Sequence, residues 1–102
     1  MKPNTNKDLT TFEEYLDEEY GPIGSLKRTE FEIRAKAFVI GETIKEERRL
    51  AKMTQQQLAD KTGTKKSFIS RIENGHSDIQ LSTLYRLVEI GLGKQLSLTI
   101  KD

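Results

Sequence analysis

MTQQQLADKTGTKKSFISRIENG, residues Met53–Gly75, is the stretch on which the fold turns. Thr54 offers a hydroxyl N-cap, and Gln55, Gln56, Gln57, Leu58 and Ala59 behind it include good helix formers. Gly63 can take the positive φ at which that helix must stop. Thr64 is then placed to cap a second helix, whose apolar residues Phe68, Ile69 and Ile72 fall at helical spacing and are expected to face a core. Gly75, after Asn74, ends it. Cap, helix, glycine, cap, helix and glycine in so short a span predict a helix-turn-helix.

Working outward toward the N-terminus, Gly41 to Lys52 continues a helical pattern that begins near Lys27 or Arg28. Thr29 and Glu32 have capping-box spacing there, with Ser25 a competing start. One apolar stripe runs through Ile33, Ala37, Ile40, Ile44 and Ala51, and a second through Phe31, Ala35 and Phe38. Gly41 interrupts them at a cost of ~1 kcal/mol relative to alanine, which reads either as a tolerated glycine where another helix packs closely or as a break in the helix. Glu42 to Arg49 is dense in both charges, a pattern for an exposed, self-paired face. Gly21-Pro22-Ile23-Gly24-Ser25 breaks the chain before that helix. Ahead of the break, either Thr10 or Thr11 caps a short amphipathic helix carrying Phe12, Tyr15, Leu16, Glu19 and Tyr20, its other side acidic through Glu13, Glu14, Asp17 and Glu18. Residues 1–8 are polar and expected to fray.

Toward the C-terminus, His76 to Ile79 reads as a loop, and a last helix starts near Leu81 or Ser82. Leu84, Leu87, Val88 and Ile90 give it an apolar side, and Gly91-Leu92-Gly93 stops it. Gln95-Leu96-Ser97-Leu98-Thr99-Ile100 alternates with period two, which predicts a short strand. Pairing with its copy in a second chain, through Leu96, Leu98 and Ile100, would satisfy its backbone. The organisation expected is an acidic helical arm and linker over 1–28, a helix-turn-helix domain with an extended first helix over 29–93, and the strand over 94–102.

The 102 residues allow one small domain with an added arm, 34% hydrophobic and 32% charged. No cysteine is present, which excludes a disulfide framework or thiolate metal site and suits a cytoplasmic protein. No signal-like or membrane-spanning run is visible. The net charge of +1 conceals an asymmetry. Residues 1–24 carry two basic and six acidic groups; residues 25–75 carry twelve basic and seven acidic. An acidic arm thus precedes a basic body, the footprint of an anionic partner.

Once the second helix of the motif has turned Phe68, Ile69 and Ile72 inward, Lys65, Lys66, Ser67, Ser70 and Arg71 remain outside. Such side chains, presented from a helix in the major groove, pair with base edges or phosphates of double-stranded DNA. Lys65 and Lys66 sit where the helix macrodipole disfavours cations, which an anionic partner would relieve. Thr54 and Gln55, at a helix N-terminus, can hold a phosphate oxygen, as can Asn74, although Thr54 and Asn74 serve equally as caps. Arg48 and Glu73 border the core and can pair. His76 is a surface histidine. With one histidine and no glycine-rich phosphate loop, no enzyme, metal site, cofactor or small-molecule substrate is expected.

TQQQLADKTGTKKSFISRIENG, with Glu73-Asn74-Gly75 after Ser70-Arg71-Ile72, resembles the Xre/Cro family of phage-type repressors over about residues 37–92. The resemblance implies an all-α, five-helix lambda-repressor-like domain, with Ser82-Thr83-Leu84 opening the last helix. It implies that Arg48 and Glu73 are an interhelical pair, that Gln55 contacts phosphate and base, and that Lys65, Lys66, Ser67 and Arg71 read bases. Thr64, ahead of these, belongs to the same expected DNA face. The flanks FEEYLDEEYGPIGSLKRTEFE and GLGKQLSLTIKD look like HigA-type antitoxins. That likeness implies a homodimer that represses its own operon and neutralises a HigB toxin, an RNA-cleaving protein of the RelE type. The acidic helix would then dock on the toxin through Phe12, Tyr15, Leu16, Glu19 and Tyr20; the alternative is that these residues pack back on the chain's own long helix. A free-standing Xre-type repressor is one other functional reading, and an interaction protein that only neutralises a partner is a second.

Overall fold

Side-chain oxygens fix where three of the helices begin. The computed structural model describes residues 11–102, all of its regular elements being helical. The fraying expected of residues 1–8 and the Thr10 alternative lie outside them. Five α-helices follow in order: α1 (Phe12–Tyr20), α2 (Leu26–Leu50), α3 (Gln55–Thr62), α4 (Lys66–Glu73) and α5 (Leu81–Tyr85), which continues as a π-helical stretch over Arg86–Gly91. The chain divides into two compact units, one ending at Ala35 and one spanning Lys36–Asp102.

In the first unit, Thr11 opens α1 with a reciprocal capping box. Its hydroxyl accepts from the Glu14 N–H at 3.1 Å, and Glu14 Oε1 accepts from the Thr11 N–H at 2.9 Å. Gly21, at φ 91°, ends it. Of the two expected starts of α2, Ser25 is used, its Oγ accepting from the Arg28 N–H at 3.2 Å. Thr29 lies inside the helix, and Glu32 accepts from Arg28 Nε at 2.9 Å instead of closing a capping box. Arg28 is only 3% exposed and also donates to Asp17 at 2.8 Å and to the Gly21 carbonyl at 3.2 Å. It therefore ties the end of α1 to the start of α2. Leu16 is buried, and the Tyr20 ring stacks on Phe31 with centroids 4.1 Å apart.

In the second unit, Ile44, Leu58, Ala59, Ile69, Ile72 and Leu87 form the core, with Met53, Ile79, Leu84, Val88 and Leu92 packed around it. Thr54 caps α3 with a second reciprocal box, closed by Gln57 at 3.0 and 2.8 Å. Gly63, left-handed at φ 67°, starts the three-residue turn into α4. Two glycines mark close approaches. A Cβ on Gly41 would lie 2.2 Å from the Ile72 carbonyl oxygen, which places α4 directly on α2. One on Gly91 would lie 2.4 Å from Leu58 Cδ1, and the π-helical widening around Leu92 N–H to Leu87 O accompanies that seating.

Three expectations need correction here. Thr64 does not cap α4: its N–H donates to the Ala59 carbonyl and its hydroxyl lies 2.9 Å from that of Thr62, so it belongs to the exit of α3. Phe68 does not face the core but is 43% exposed, because Ile69, Ile72 and Glu73 define the inner side of α4. Residues 95–100 form no strand. A strand needs a backbone ladder, and the tail is held by side chains instead, Lys94 pairing with Glu47 at 3.0 Å and the Leu96 N–H donating to Glu89 at 3.3 Å. Leu98 and Ile100 stand exposed.

The crossing at Gly41 yields a stability prediction of counter-intuitive sign. Gly41→Ala should gain ~1 kcal/mol of helix propensity. Forcing α2 from a backbone carbonyl that cannot swing aside should cost about 1–3 kcal/mol or more, which outweighs that gain, so the urea midpoint falls. A midpoint that rises would show that no backbone contact is made there.

Candidate nucleic-acid interface

A recognition surface must be held rigidly from behind. The turn that ends α2 supplies part of that support. Lys52 takes a left-handed conformation at φ 60°, uncommon for a residue with a Cβ. Arg48 closes this turn twice, its carbonyl accepting from the Met53 N–H at 3.1 Å and its Nη1 donating to the Met53 carbonyl at 2.8 Å.

The rest of the Arg48 guanidinium grips α4. Nε donates to Glu73 Oε2 at 2.7 Å and Nη2 to Glu73 Oε1 at 2.9 Å, the parallel fork that suits arginine and carboxylate. Gln55 Nε2 donates to the same Oε1 at 3.0 Å. One carboxylate thus joins α2, the start of α3 and the end of α4. The side chains are 12% and 3% exposed, so the pair is nearly dry. Burial pushes the Glu73 carboxyl up, but the hydrogen bonds of Arg48 and Gln55 and the charges of Arg48 and Lys45 outweigh it and hold the group below the ordinary carboxylate range. The Glu73 hydrogen bond correspondingly raises Arg48 against the opposing effect of its burial.

On the opposite side of α4 lie the residues expected to meet DNA. Lys65 is its N-cap and makes no side-chain cap bond, since an ammonium cannot accept one. Lys65, Lys66 and Ser67 are exposed; Ser70 and Arg71 are half-buried. Asn74, exposed at the end of α4, donates to Ser70 Oγ at 3.3 Å. Arg71 pairs with Asp78 in the loop before α5. Hydrogen bonding from Arg71 is the main cause that holds the Asp78 carboxyl below its ordinary range.

The structure thus gathers Lys65, Lys66, Ser67, Ser70, Arg71 and Asn74 on α4 and its borders. Thr54 and Gln55 sit at the start of α3, the first engaged in its capping box and the second in the Glu73 bond. Thr64 lies in the turn between the helices. Sequence reasoning missed Asp78. Its i,i+7 spacing from Arg71 is no helical neighbour relation, and only the loop brings the two together.

Residues 44–90 match a family model described as helix-turn-helix, from the last turns of α2 to the π-helical stretch. No curated protein and no solved structure was found to match the chain. No helix among the described residues is long and apolar enough to cross a membrane.

Glu73→Gln should destabilise the chain by about 3–5 kcal/mol near neutral pH, because it leaves the Arg48 charge without its counter-ion. Glu73 titrates lower folded than unfolded, so its contribution is complete above the ordinary carboxylate range and is lost as the pH falls toward its folded pKa. Urea denaturation should therefore show the gap between wild type and variant narrowing below about pH 4.5. A gap constant down to acid pH would assign the loss to packing.

Proposed function

We propose that this chain is a repressor that reads double-stranded operator DNA with α4, a reading supported by the match of residues 44–90 to a helix-turn-helix family model of the Xre type that DNA-binding regulators carry. The observation that carries the reading is the placement of Lys65, Lys66 and Ser67 outward on the first turn of a helix clamped from behind by Arg48, Glu73 and Gln55. Recognition helices meet bases with their N-terminal residues. In this reading Ser70 and Arg71 extend base contact, and Thr54, Gln55, Thr64 and Asn74 border the groove beside the phosphates. Two copies place two such helices about one DNA turn apart on a palindrome. The exposed Leu98 and Ile100, with Leu96 beside them, supply apolar surface for that homodimer.

The fuller form of the proposal is an antitoxin of a type II toxin–antitoxin pair, cytoplasmic, that represses its own operon and neutralises a HigB/RelE-type RNA-cleaving toxin. What supports it is α1. Phe12 and Tyr15 stand 69% and 47% exposed with their rings stacked at 6.3 Å, among the acidic Glu13, Glu14, Glu18 and Glu19. Apolar anchors ringed by acid suit the basic surface that an RNA-cleaving partner must carry. Leu16 and Tyr20 hold the arm's own packing, which leaves Phe12 and Tyr15 with Glu19 as the outward contacts.

Lys66→Ala and Arg71→Ala should each weaken binding to a selected operator duplex by roughly 1–3 kcal/mol. An unchanged footprint with both variants would refute α4 as the reading helix. Phe12→Ser combined with Tyr15→Ser should abolish capture of any small basic protein encoded beside this gene while DNA binding persists. Undiminished capture would remove α1 from the contact, and a neighbourhood without any such gene would favour the free-standing repressor.

A further inference from the structure

Arg71 reaches outward from α4, yet a carboxylate already holds it. Asp78 Oδ2 accepts from Arg71 Nη2, with the two side chains 71% and 42% exposed. The loop that carries Asp78 is fixed by α4 itself. The Gly75 and His76 N–H groups donate to the Ile72 and Arg71 carbonyls at 3.0 and 3.1 Å, and Gly75 turns the chain at φ 84°. Beside the pair lies a cleft of about 210 Å³ bordered by Phe68, Gln80 and Thr83, which leaves room for the guanidinium to swing. The carboxylate therefore stands on the border of the basic face, where it also repels phosphate.

We infer that Asp78 is an intramolecular competitor of the DNA: it occupies Arg71 until a base edge displaces it, and so subtracts the worth of the pair from binding to the correct sequence. The inference rests on α4 being the reading helix. The magnitudes decide its direction. An exposed ion pair is worth at most about a factor of 5. A bidentate contact from arginine to guanine discriminates by roughly 5- to 150-fold, enough to replace the pair. A single phosphate contact on arbitrary DNA offers no such margin, and there Arg71 stays with Asp78. Hydrogen bonding keeps the Asp78 carboxyl ionised through neutral pH, so the competition persists wherever the protein meets DNA.

The test compares a duplex enriched by the wild-type chain from a random library with a scrambled duplex of equal length and charge, by fluorescence anisotropy at fixed salt. Asp78→Asn should tighten binding to the enriched duplex up to about 5-fold and to the scrambled duplex less than 2-fold, so their ratio rises. In an Arg71→Ala background the same change should leave the ratio unaltered, because Asp78 acts through Arg71. If Arg71→Ala lowers the ratio while Asp78→Asn does not raise it, the inference fails and the reading helix stands. If Asp78→Asn weakens the enriched duplex selectively, the carboxylate holds Arg71 in its reading posture, and the inference is overturned. If Arg71→Ala alters neither affinity, Arg71 is not a reading residue and both fail.

Discussion

The helix-turn-helix depends on one buried carboxylate. Glu73 accepts three hydrogen bonds, two from Arg48 and one from Gln55, and through them ties the end of α4 to α2 and to the first residue of α3. The apolar core alone fixes the orientation of α4 less sharply, since apolar contacts are non-directional. A forked pair does not tolerate small shifts, because its two bonds need a fixed distance and a fixed plane. Arg48 extends the constraint to the α2–α3 turn by holding the Met53 carbonyl. A buried pair of this kind adds little net stability over an apolar substitute. Its value here is geometric: it sets the angle at which Lys65, Lys66 and Ser67 are presented.

Much of this was legible in the residues, and the exceptions have local causes. The Thr11 and Thr54 caps, the break at Gly21, the turn at Gly63 and the close approach at Gly41 were expected, because each is a property of one residue type at one backbone state. The Arg48–Glu73 pair was expected from two charges bordering apolar stripes. Thr64 misled because a threonine before a helix can serve the helix behind it, and Thr62 drew its hydroxyl that way. Phe68 misled because periodicity alone does not fix the centre of an apolar face when Glu73 takes part of the interior. The tail's alternation is real, but a period of two makes a strand only where a partner ladder exists. Arg28 gave no signal at all: an arginine among glutamates on a polar helix reads as solvated, yet here it is buried.

Among the described residues three arginines hydrogen-bond to carboxylates, and their exposure separates their roles. Arg28, at 3%, faces Asp17, Glu32 and the more distant Glu13 and cannot leave without stranding a buried charge. Arg48, at 12%, is similarly committed to Glu73. Arg71, at 42%, gives up an exposed partner that water can replace. Composition counts all three as equal contributions to a basic body. Only the third can change partner at the small cost of an exposed pair, so the positive charge that the proposed DNA face can offer is smaller than the sequence total. In the proposed reading that charge lies on Lys65, Lys66 and Arg71, the cations of α4 and its N-cap, and the carboxylate of Asp78 stands against it.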